Sequence, residues 1–143
     1  MIKSNGMYIL KGELAIPVSS AREWGEWFEN SNDRFLARTT IDDIMVSTVF
    51  LGVDYNFGGV GDPLLFETMI FAGDDYSDTV EFEFAKNEHS FWGSAKRDSF
   101  YGEAIATHHQ AVEEIRKRLE GSKRAAERMI VSITVTKKAK VDE

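Results

Sequence analysis

The sequence predicts an α+β fold: an antiparallel β-sheet of about five to six strands with two α-helices packed on one face. Three observations carry this. Several segments alternate apolar and polar residues with period two. Short polar turns join the middle ones, the mark of an antiparallel meander. Two further segments space their apolar residues for a helix face.

Met7 to Ile16 reads as the first strand, with Tyr8, Leu10 and Leu14 on one parity and Pro17 ending it. Ser20-Ala21-Arg22-Glu23 is a capping box, and Trp24, Trp27 and Phe28 follow at i, i+3 and i+4 as an aromatic helix stripe. Arg34 to Ile41 and Ile44 to Leu51 read as strands on either side of an Asp42-Asp43 turn. Leu64 to Phe71 is apolar on both parities, so it belongs at the centre of the sheet or at a subunit contact. Val80, Phe82 and Phe84 alternate with Glu81 and Glu83 as a half-buried strand. Lys86 to Arg97 has no clear period. From Ser99, the positions Tyr101, Ile105, His108, Val112, Ile115 and Leu119 recur at helical spacing, with Gly121 as the expected stop. Met129 to Thr136 reads as a closing strand and the last seven residues as a frayed tail. The expected order is β-α-β-β-β-β-α-β. Its core is Trp24, Trp27, Phe28, Val49, Leu51, Phe66, Met69, Ile70, Phe82, Val112 and Ile115.

The 143 residues fit a single globular domain, 1–143, with an ordered core over roughly 7–136. Cysteine is absent, which excludes disulfides, thiolate metal sites and a cysteine nucleophile. No apolar run is long enough to span a bilayer, and Met1 to Gly6 holds no signal-peptide core, so the expected location is the cytoplasm. The net charge of −7 is uneven: from Glu113 onward nine Lys/Arg face six Asp/Glu, so the preceding body is strongly acidic. Such a body repels nucleic-acid phosphates and argues against direct DNA binding. The basic run around Arg116 to Arg128 reads as a solvated helix face.

The stretch Val46-Ser47-Thr48-Val49-Phe50-Leu51-Gly52-Val53-Asp54-Tyr55-Asn56-Phe57-Gly58-Gly59, followed by Pro63-Leu64-Leu65-Phe66-Glu67-Thr68-Met69-Ile70-Phe71, is distinctive. It resembles a family of small, uncharacterised phage- and prophage-encoded proteins. The likeness extends to Trp24–Phe28, Ala37-Arg38-Thr39, and His108, Ala111 and Val112, covering roughly residues 20 to 112. The chain departs from the family pattern at Ala72-Gly73, where members carry Gly-Gly. It departs again at Ser99-Phe100-Tyr101-Gly102, where the capping-box Glu is lost. The resemblance implies a phage or prophage origin and a cytoplasmic location in an infected or lysogenic bacterial host, but no mechanism. By analogy with small phage proteins that blunt host defence, it suggests an anti-defence role.

The leading candidate site is the loop Asp54, Tyr55, Asn56, Phe57, Gly58 and Gly59. Glycines let backbone N–H groups approach an anion, and Tyr55 and Phe57 can stack on a base. The competing reading is a wide connection whose Asp and Asn bond their own backbone. Neither a Walker loop nor a dinucleotide fingerprint is present. Arg34 and Arg38 share strand parity and are the expected charge partners of this loop, brought to it by a neighbouring strand; with Lys96 and Arg97 they are candidates to clamp phosphate. His108 lies on the apolar stripe of its helix, as a core histidine would, and the His108–His109 pair points apart, so no metal site is expected. Glu67, inside the most apolar strand, needs a partner such as an arginine or a backbone turn, with a catalytic role as the lesser reading. No catalytic triad, paired-carboxylate or zinc-protease motif appears, so the reading leans against an enzyme, and no cofactor is expected. The expected protein is a non-enzymatic binder of a small anionic or nucleotide ligand, acting as a homodimer. The alternatives are an acidic inhibitor or nucleic-acid mimic acting on a host protein through Asp74, Asp75, Asp78, Glu81 and Glu83, and an enzyme acting on a small substrate.

Overall fold

A computed structural model describes residues 5–76, 78–79, 91–92 and 95–141, with the side chains of 5–76 and 95–124. It shows an α+β fold with two antiparallel sheets and two helices. The chain divides into two compact units, Met1–Ala111 and Val112–Glu143.

The first expected strand is a hairpin of two: β1 (Tyr8–Lys11) and β2 (Leu14–Pro17) pair antiparallel. The alternation of Tyr8, Leu10 and Leu14 runs through a two-residue turn whose Gly12 has φ +61, which favours glycine. Helix α1 (Ala21–Asn30) begins as the capping signal predicts, with the Glu23 backbone N–H donating to Ser20 Oγ at 3.2 Å.

The larger sheet holds β3 (Phe35–Ile41), β4 (Ile44–Phe50), β5 (Phe66–Ala72), two-residue β6 (Asp78–Thr79) and β7 (Phe91–Trp92), and β8 (Ala95–Asp98). Its order is β3-β4-β5-β8-β7, with β6 pairing β5. Val46, Thr48 and Phe50 face Ile70, Thr68 and Phe66 across the β4–β5 ladder, and all six are buried. Trp27 packs edge-on to Phe50 at 5.6 Å, and Tyr101 edge-on to Phe66 at 6.2 Å, so α1 and the start of α2 (Tyr101–Val141) cover one sheet face. Leu10, Phe50, Leu65, Phe66 and Ala104 form the core cluster.

Phe66, Ile70, Val112 and Ile115 are buried as expected. Val49, Leu51 and Met69 are only half-buried, because β4 and β5 turn the opposite parity inward at Val46, Thr48 and Phe50. Trp24, Trp27 and Phe28 are also half-buried, and Phe82 and the rest of the expected strand around it lie outside the described residues.

The expected closing strand at 129–136 is corrected: those residues continue α2, which runs to Val141. Gly121 does not take the left-handed conformation of a helix stop, and no proline follows it. A glycine inside a helix costs only about 1 kcal/mol, too little to end one by itself. In the second unit Lys117 pairs with Glu113 at 3.7 Å and Arg118 with Glu114 at 3.5 Å, the i, i+4 spacing that supports a helix. At the start of α2 the lost capping Glu is replaced by another. The helix begins at Tyr101, so Glu103 stands at the third position and its Oε1 accepts from the Phe100 backbone N–H at 3.2 Å.

Candidate ligand sites

The Gly-rich loop is pinned by its own side chains. Asp54 Oδ1 accepts from the backbone N–H of Asn56 at 2.7 Å and of Leu64 at 2.9 Å. Asn56 Nδ2 donates to the carbonyls of Val60 at 2.7 Å and Asp62 at 3.0 Å. Both polar groups offered to a ligand by the sequence therefore hold the loop closed. The Tyr55 and Phe57 rings lie 5.6 Å apart, with Phe57 81% exposed. Gly59 has φ +67, and Gly58 approaches the Asn56 side chain. At the loop entrance Gly52 has φ +77, and a Cβ there would stand 3.1 Å from Trp24 Nε1 and 3.2 Å from the Phe28 ring. Its carbonyl accepts from Trp24 Nε1 at 2.9 Å, so α1 clamps the loop root.

Among the described residues the cation beside this loop is Arg97, not Arg34 or Arg38. Its guanidinium lies 4.6 Å over the Tyr55 ring, and its Nε donates to Glu67 Oε2 at 2.9 Å. Glu67 thus has the arginine partner its strand position demands. Loop and β8 enclose a cleft of about 240 Å3, whose walls include Asn56, Asp62, Arg97, Phe100 and Glu103.

Arg34 and Arg38 meet elsewhere, around Phe35. The Arg34 guanidinium lies 4.5 Å from the Phe28 ring and 4.8 Å from that of Phe35, and Arg38 lies 5.8 Å from Phe35. A β-bulge makes this meeting possible. Phe35 is opposite Val49, but Ala37 is opposite Thr48, so one extra residue enters β3 and puts Phe35 on the same sheet face as Arg38. Among the described residues neither arginine has an ion pair, and the buried Arg34 Nε has no hydrogen-bond partner. Phe35 is 47% exposed.

The chain matches no family model, no curated protein and no solved structure.

Around His108, expected in the core, lies a buried polar layer between sheet and helix that periodicity does not reveal. His108, 2% exposed, lies 2.8 Å from Thr39 Oγ1 through Nε2 and 2.9 Å from Thr48 Oγ1 through Nδ1. Thr48 Oγ1 is in turn 2.7 Å from Thr68 Oγ1. Nearby in sequence, Lys96 Nζ donates to Asp98 Oδ1 at 2.6 Å, and Thr107 Oγ1 donates to Asp98 Oδ2 at 2.8 Å. Lys96 is therefore committed and takes no part in a phosphate clamp. The signal lies in Thr48 and Thr68, polar positions on the strand parity that also carries Val46, Phe50, Phe66 and Ile70. Among the described residues no group of three or more His, Asp or Glu could hold a metal ion, and no helix is long and apolar enough to cross a membrane. In the acidic cluster Asp74 and Asp75 are exposed, Asp78 lies in β6, and Glu81 and Glu83 fall outside the described residues.

Burial, and secondarily the charge of His109, holds the His108 imidazole below its ordinary value. The folded state therefore keeps His108 neutral while the unfolded chain takes up the proton near pH 6.5. Stability from this site is fully present above that pH and falls as the pH drops below it. Urea unfolding from pH 7.5 to 5 is expected to show the loss. His108→Gln, which keeps a donor and an acceptor without titrating, is expected to lessen the slope. An unchanged slope would assign it to other groups.

Proposed function

We propose that this protein is a non-enzymatic binding protein that captures a nucleotide-type anion on a platform of Arg34, Phe35 and Arg38. The supporting observation is two guanidinium groups, unpaired among the described residues of a chain with net charge −7, sharing one half-exposed aromatic ring. Guanidinium geometry matches phosphate oxygens, and the half-exposed ring offers a base an apolar contact. The sandwich between Phe28 and Phe35 restrains Arg34 before any ligand arrives, which lowers the entropy lost on binding. The phage origin implied by the resemblance gives such a binder a role in sequestering a nucleotide signal of host defence. The loop from Asp54 to Gly59 serves this reading as scaffold, because its Asp and Asn are spent on its own backbone.

A thermal-shift panel of mono-, cyclic and oligonucleotides tests the proposal. A specific ligand at a hundred times its Kd adds about 2.7 kcal/mol of stability, a rise of several degrees. Arg38→Ala, at an exposed position, is expected to abolish that shift with little change in the melting temperature of the free protein. No shift with any nucleotide, or a shift untouched by Arg38→Ala, rejects the platform.

A further inference from the structure

We propose that two adjoining clefts sharing Phe100 form a docking surface for a partner-protein segment that carries one basic and one apolar anchor side chain. The proposal is independent of the arginine platform. Four large apolar side chains are more than half exposed among the described residues: Leu14, Phe57, Val60 and Phe100. Val60 and Phe100 wall the cleft beside the Gly-rich loop, and Leu14 and Phe100 wall a second cleft of about 380 Å3. Phe57 stands on the loop itself. Exposed apolar side chains gathered in this way mark interaction sites.

Three separate segments supply this surface, and each is held in place. The hairpin turn presents Leu14. Asp54 and Asn56 close the loop, and the Leu65 backbone N–H ties its far end to the Asp98 carbonyl at 3.0 Å. Glu103 fixes the Phe100 backbone. A surface already in its bound shape loses little entropy on docking.

Charge selects the occupant. Glu13 borders the second cleft, while Asp62 and Glu103 border the first, and none has an ion pair among the described residues. The one cation in these walls among the described residues, Arg97, is committed to Glu67. A phosphate or an anionic membrane would meet unpaired carboxylates here, whereas a Lys or Arg side chain would be complementary. The second cleft, walled by Tyr8, Leu65, Phe66 and Phe100, fits a Leu- or Phe-sized side chain. The partner segment straddles Phe100, its basic side chain toward Asp62 and Glu103 and its apolar one under Leu14.

The probe is a synthetic array of twelve-residue peptides combining one or two Lys/Arg with Leu or Phe at varied spacing, beside acidic counterparts of the same pattern. Basic-apolar peptides are expected to bind and acidic ones not, with affinity falling as salt rises. Phe100→Ser is expected to weaken binding about tenfold or more, as for a central anchor. Asp62→Lys is expected to remove the salt dependence while the far-ultraviolet spectrum stays unchanged. Binding of no peptide, equal binding of acidic peptides, or indifference to both substitutions overturns the proposal. So does sedimentation showing a dimer that Phe100→Ser converts to a monomer, since the occupant would then be a second copy.

Discussion

Phe66→Ala is expected to cost about 3–5 kcal/mol of unfolding free energy. Phe66 is 1% exposed, and its ring lies 5.4 Å from that of Phe50 and 6.2 Å from that of Tyr101. Three elements converge there: β4 through Phe50, β8 through the Phe66–Asp98 register, and the first turn of α2 through Tyr101 and Ala104. Neighbours fixed to a sheet on one side and a helix on the other cannot collapse far into the space a lost ring leaves. The cavity term therefore adds to the transfer term. A domain of this size has about 5–15 kcal/mol in all, so the loss removes a large part of its stability. Urea unfolding is expected to show a lower midpoint with an unchanged slope. Val49→Ala, half-buried on the other face, is the control and is expected to cost less. A Phe66→Ala loss below about 1 kcal/mol, far under the range for a buried ring, would place the centre of the core elsewhere.

The parts of this fold legible in the sequence are those where one physical signal acts alone. The i, i+3, i+4 aromatics of α1, its Ser20 cap and the Asp42-Asp43 turn between β3 and β4 are local and unopposed. Glu67 in an apolar strand demands a partner, an arginine or a backbone turn, and Arg97 stands opposite it in the β5–β8 register. Where two signals compete, the reading fails. Both parities of β4 and β5 are largely apolar, so period two cannot say which faces inward, and Thr48 and Thr68 look like surface residues until the structure shows them bonded to each other, with His108 as the further partner of Thr48. The bulge at β3 has no glycine or proline to announce it, yet it alone joins Phe35 to Arg38. The β-branched run Ile130 to Val135 suggests a strand, but such residues cost a helix only tenths of a kcal/mol each, and nothing between Tyr101 and Val141 is strong enough to stop one. For the candidate site, Arg34 and Arg38 are legible, but Phe35 and the grouping are not, because grouping depends on register: Arg97 reaches the loop through β8, and Arg34 reaches Phe28 through α1.

Asp98→Ala is expected to be as damaging as the loss of Phe66, for an electrostatic reason. Lys96 and Asp98 alternate on β8, so both side chains point into the buried layer, where both residues are under a tenth exposed. Lys96 Nζ has Asp98 at 2.6 Å and Thr107 Oγ1 at 3.4 Å. Removing the carboxylate leaves a buried ammonium without its counter-charge and takes the acceptor from the Thr107 hydroxyl, a change that costs about 3–5 kcal/mol. The size of that loss does not measure what the pair contributes. Drawing two ions from water offsets most of their attraction, so a matched apolar pair in the same space is often as stable or more so. Lys96→Met with Asp98→Leu is accordingly expected to recover most of what either single change loses, and the cycle to show strong coupling between neighbours. Urea unfolding of the four proteins measures it. Additive losses, or single losses near zero, would mean that water reaches the pair and that the layer under α2 is wet, contrary to its burial.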